Sequence, residues 1–134
     1  MDISTFDDLL AAARAQPQPQ RLLMVFATAE LPDGATAAQR AEFEAGAGGA
    51  LVPAACVDKS PDELSTFEAL VQEAGQFALD WRMVFVAALS GSTQTAPGSA
   101  EVVGALQTMV ERIKLGDIGR YLAFDRQGRA IQLG

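Results

Sequence analysis

The chain has 134 residues, 49% of them apolar and 20% charged, enough to build one core, and it reads as a single domain over residues 1–134. Ten basic residues against seventeen acidic give a net charge of -7, so neither a phosphate backbone nor an anionic bilayer is an expected partner. With no histidine and one cysteine, Cys56, the chain excludes Ser-His-Asp and Cys-His catalysis, an ordinary zinc site and an internal disulfide.

At the start, Asp2, Asp7 and Asp8 stand where a secretory signal carries Lys or Arg. No apolar run approaches the roughly 18 residues of a membrane span. The expected location is cytoplasmic, in keeping with a lone thiol. Phe6, Leu9, Leu10 and Ala13 then recur at the spacing of one helix face, behind a Ser4 cap, and Pro17 and Pro19 end that helix. Residues 22–27 are a continuous apolar run and predict a strand covered on both faces.

A second helix is expected from Thr36, with Gln39 completing a capping box and Gly46 beyond its end; Ala37, Ala38 and Ala41 predict close packing. Residues 51–57 predict a strand whose Pro53, lacking an N–H, places it at an edge or a bulge. Ser60, Pro61, Asp62 and Glu63 signal a third helix start, and Leu64, Phe67, Leu70, Val71 and Ala74 form its stripe as far as Gly75. A third strand covers residues 83–89.

The longest helix is predicted over residues 99–115, with Val102, Leu106, Met109, Val110 and Ile113 on one side, Gly116 beyond its end, and Gly104 allowing near approach to a strand. Residues 121–124 and 130–133 flank Asp125-Arg126-Gln127-Gly128, with Asp and Gly at the ends of a type I turn, and predict a hairpin. Helix and strand therefore alternate until the end. The fold class expected is α/β: a mixed, mostly parallel sheet of about five strands, helices packed on it and a C-terminal hairpin.

The stretches Phe6-Asp7-Asp8-Leu9-Leu10, Val57-Asp58-Lys59-Ser60-Pro61-Asp62-Glu63-Leu64, Val84-Phe85-Val86-Ala87-Ala88-Leu89-Ser90-Gly91 and Phe124-Asp125-Arg126-Gln127-Gly128 resemble a group of short proteobacterial proteins. Some of that group carry the label ribonucleotide reductase alpha subunit. The radical chemistry of that enzyme needs several cysteines where this chain has Cys56 alone, so the resemblance implies no site residues; no cofactor is expected.

Open α/β sheets bind ligands at the carboxyl ends of parallel strands. On that rule Glu30, Asp58, Lys59 and the loop Ser90-Gly91-Ser92-Thr93-Gln94-Thr95 share one rim, and Asp58, Lys59, Ser90, Ser92 and Thr93 are the candidate ligand-binding residues. Loop amides and the helix start near Ser99 would hold an anion, with Lys59 supplying charge. The loop contains no GxxxxGK[ST] and no GxGxxG. Gly46-Ala47-Gly48-Gly49 precedes a strand, the wrong place for a phosphate loop.

Cys56 sits in an apolar run and reads as a small buried hydrophobe rather than a nucleophile. The acidic pairs Asp7/Asp8 and Asp62/Glu63 lie in helix first turns, where carboxylates meet the dipole. Trp81 opens a strand and is expected to pack over the sheet. The leading functional expectation is a non-enzymatic binding or protein-interaction module, self-associating through an edge strand or an apolar helix face. The competing class is a small enzyme or a protein binding a small anion or nucleotide at the rim.

Overall fold

The structure is a computed structural model and describes residues 3–30, 34–44, 50–64, 66–76, 81–91, 95–115 and 117–131. Its elements in chain order are α1 (Phe6–Arg14), β1 (Gln20–Glu30), α2 (Ala37–Glu44), β2 (Ala50–Lys59), a 3-10 turn (Pro61–Glu63), α3 (Phe67–Ala74), β3 (Met83–Ser90), α4 (Ser99–Lys114), β4 (Leu122–Phe124) and β5 (Ala130–Ile131). The five strands form one sheet in the order β2-β1-β3-β4-β5.

Every pairing in the sheet is antiparallel, which corrects the expectation of a mostly parallel arrangement. A crossover helix must bury an apolar face against the sheet. In α2 every residue whose side chain is described is exposed, so none of those side chains covers the sheet and the alanines do not pack closely. Its capping box is nevertheless present, with Thr36 and Gln39 exchanging bonds of 2.8 and 3.1 Å. The chain goes out along β1, makes an excursion through α2 and returns beside β1 as β2. After β3, α4 packs against β1 and β2, and the chain re-enters beside β3 running the other way.

Helices cover both faces, and β1 shows it residue by residue. Leu22, Met24 and Phe26 meet α1, α3 and Trp81, while Leu23, Val25 and Ala27 meet Val102, Met109 and Ile113 of α4. All six are buried, because alternate side chains of a strand point to opposite faces. Trp81 is fully buried, its ring edge-on to Phe26 at 5.0 Å and beneath the Arg126 guanidinium at 5.4 Å, as a strand-opening aromatic packed over the sheet should be.

Local signals shift in detail. The cap of α1 is Thr5, not Ser4: Thr5 Oγ1 accepts the Asp8 N–H at 3.2 Å, and Asp8 Oδ2 accepts the N–H groups of Thr5 and Ser4. The expected third helix is broken at Leu64, whose extended backbone separates the 3-10 turn from α3, and Thr66 recaps the chain. Pro53 does mark both an edge and an irregularity, since β2 is the outer strand and the register slips between Phe26 and Ala27. A Cβ on Gly104 would meet nothing, so that glycine serves no near approach.

The C-terminal hairpin forms as expected between Leu122–Phe124 and Ala130–Ile131, while residues 132 and 133 of the expected second arm lie outside the described residues. Gly128 donates to the Asp125 carbonyl at 3.0 Å, and Asp125 Oδ1 accepts from the Gln127 and Arg129 N–H groups. The outer side of β5 is closed by the N-terminal segment: Ala130 N–H donates to Ser4 O at 2.7 Å, and Phe6 N–H to Gly128 O at 2.8 Å. β2 has no such cover among the described residues.

Candidate functional site

Because β2 and β3 both run opposite to β1, their carboxyl ends reach the same end of the sheet. Asp58, Lys59 and Ser90 therefore do share a rim, with Gln20 and Arg21 of β1 between them. Glu30 lies at the opposite end, opposite Ala50, and leaves the set. Ser92, Thr93 and Gln94 lie outside the described residues.

The rim is not a converging site. Asp58 pairs across from Leu23 and Lys59 from Leu22, so the two side chains project to opposite faces. Arg21, which the sequence reading passed over, takes up the carboxylates: Nε donates to Asp58 Oδ2 at 2.7 Å and Nη1 to Glu63 Oε1 at 2.7 Å. Its charged form is held by Asp58 first, then by Glu63. Lys59 Nζ meets Glu73 Oε2 of α3 at 3.0 Å. The Ser90 hydroxyl donates to Gln20 Oε1 at 3.2 Å and accepts from Gln20 Nε2 at 2.9 Å. Each described member of the predicted set is thus engaged within the fold.

A cleft of about 570 Å³ beside this rim runs between the end of α1, residues 16–20 and Ser60–Asp62. Its cation, Arg14, donates to the carbonyls of Pro61 and Leu64 at 3.2 and 2.8 Å. That guanidinium staples the 3-10 turn to α1.

Two carboxyls sit below their ordinary range. Glu63 is held down first by the Ser60 N–H and then by the Ser60 hydroxyl and Arg21; Asp8 is held down by the N–H groups of Ser4 and Thr5. A depressed folded-state pKa contributes stability above the unfolded value and loses it as pH falls through the folded value. Stability should therefore be full above the ordinary carboxylate range and decline as pH falls through and below it. The double variant Asp8→Asn/Glu63→Gln should flatten that decline in denaturation followed by circular dichroism. An unchanged slope would show that these two groups do not set it.

Cys56 is exposed, not buried as expected, and it lies in a groove of about 540 Å³ between β2 and α4, beside Val103, Leu106 and Val110. Desolvation there pushes its thiol pKa up, which leaves it protonated and weakly nucleophilic at neutral pH. No group of three or more Cys, Asp or Glu among the described residues is placed to hold a metal ion. No helix among them is long and apolar enough to cross a membrane.

The fold and its surface define the class as a small antiparallel sheet covered by helices on both faces, with one edge closed by the N-terminal segment and the other without cover among the described residues. The chain matches no protein-family model, no curated protein and no solved structure.

Proposed function

We propose that this chain is a non-enzymatic protein-interaction module that pairs with a second copy of itself along the open edge of β2. The observation that carries this reading is the contrast between the two edges. Residues 4–6 close β5, whereas β2, ten residues long, has no cover on its outer side among the described residues and bears no charge from residue 50 to residue 57. Folded proteins ordinarily blunt such an edge with charge, proline, a bulge or a covering loop, because its free N–H and C=O groups template another strand; β2 carries Pro53 and the register slip beside it, but no charge before Asp58 and no cover among the described residues.

Beside the edge, the Val103, Leu106 and Val110 stripe of α4 supplies apolar surface, and Val103 is 54% exposed. The charged side chains lining this groove are one acid and one base, Glu111 and Lys114. A second copy therefore meets a locally neutral surface on a chain of net charge -7, which is what self-pairing needs and what a strongly basic partner would not. An exposed lone thiol agrees with a reducing cytoplasm.

Light scattering over a micromolar concentration series should show a monomer–dimer equilibrium. Ala54→Lys on the edge and Val103→Glu on α4 should each raise the dimer dissociation constant by about tenfold or more, corresponding to about 1.4 kcal/mol. A strict monomer, or a dimer indifferent to both exposed-site changes, rules out this reading.

A further inference from the structure

The sheet narrows abruptly at β3. On one side β3 pairs with β1 as far as Ser90; on the other it pairs with β4 only through Val84, Phe85 and Val86. Residues 87–90 therefore have no strand on their outer side among the described residues, and alternate main-chain N–H groups there lack a ladder acceptor. Two clefts open at this step, of about 280 and 260 Å³, and Ala87, Ala88, Arg120 and Tyr121 border both. Arg112 and Thr108 of α4 complete the first.

The charge of this step runs against that of the molecule. On a chain of net charge -7, the two linings contain two arginines and no carboxylate. Arg112 is shared with Asp117, whose Oδ2 lies 3.0 Å from its Nη1. Arg120 is exposed and has no acidic partner among the described residues. A guanidinium presents parallel donors that match the paired oxygens of a carboxylate or a phosphate, and unpaired strand N–H groups add donors in the same place. The volumes lie below the range of drug-sized pockets, which favours a ligand of few heavy atoms over a nucleotide.

We infer that the step beside β3 is a binding site for a small oxyanion, a carboxylate or a phosphate, held by Arg120 with Tyr121 and the outward-facing N–H groups of alternate residues between 87 and 90. The site is separate from the β2 edge and does not depend on self-pairing. It differs from the rim suggested by the strand ends, where Lys59 is held by Glu73.

Amide NMR of the full chain, titrated separately with sodium phosphate and sodium succinate at constant ionic strength, tests the assignment. Saturable shifts at residues 87–90, Arg120 and Tyr121 are expected, and the tighter of the two probes identifies the anion chemistry. Arg120→Ala should weaken binding by about tenfold or more, whereas Asp117→Asn should tighten it several-fold by releasing Arg112. Shifts that rise linearly as with sodium chloride would mark Arg120 as a solvated surface charge and overturn the site. Saturable binding that Arg120→Ala leaves unchanged would overturn it equally.

Discussion

Phe6→Ala is expected to destabilise the fold by about 3–5 kcal/mol, the usual cost of truncating a fully enclosed phenylalanine. Phe6 has no exposed surface, and its ring lies 5.1 Å from that of Phe67 and 5.5 Å, edge-on, from that of Phe124. One side chain thus joins α1, α3 and β4, elements far apart in the chain. Little of the cavity can refill, because each wall belongs to a different element. The loss is a large share of the roughly 5–15 kcal/mol that holds a typical domain folded. Urea unfolding monitored by circular dichroism should show a lower midpoint at a similar m-value; a change below about 1 kcal/mol would mean that the three elements are held together elsewhere.

Gly128→Ala should be the next most damaging change, for two separable reasons. At φ +79° a side chain costs about 1–2 kcal/mol in backbone conformation. A Cβ there would also stand 3.0 to 3.3 Å from three atoms of the Phe67 ring, adding an overpacking cost of about 1–3 kcal/mol. Gly34 supplies the control, since it has φ +77° but open space around its Cβ position. Gly34→Ala should therefore show the conformational part alone. Equal losses at the two positions would eliminate the Phe67 contact as a contributor. The same turn receives the Phe6 N–H, so damage at Gly128 should also loosen the N-terminal cover of β5.

Much of the local structure was legible. The apolar spacing of Phe6, Leu9, Leu10 and Ala13 marks a buried helix face, and all four side chains are buried. Asp125 and Gly128 mark their turn because an Asx side chain and a positive φ are local requirements. Strand direction was misread for a physical reason. The apolar run at residues 22–27 reports that both faces of β1 are covered, and a doubly covered antiparallel strand produces the same run as a parallel one. The alternation of helix and strand was equally ambiguous, because α2 has the N-terminal capping box of a helix while every side chain described in it is exposed.

The candidate sites were less legible than the elements. Asp58, Lys59 and Ser90 do reach one end of the sheet, yet their partners Arg21, Glu73 and Gln20 come from residues far along the chain, and only folding makes those pairs. No spacing rule identifies Arg120 either, since its setting exists only because β4 stops pairing three residues into its ladder with β3.

By itself, the sequence determined the local and compositional facts: which segments become helix or strand, where the hairpin turns, and that chemistry built on histidine or a disulfide is excluded. Caps, turns and periodicity act over a few neighbouring residues, so they are written in neighbouring letters. Only the tertiary structure decided strand order and direction, which edge was closed, and which charges were already paired. Those outcomes depend on contacts between distant segments, where the competing arrangements share the same local pattern and differ only in how the faces are buried.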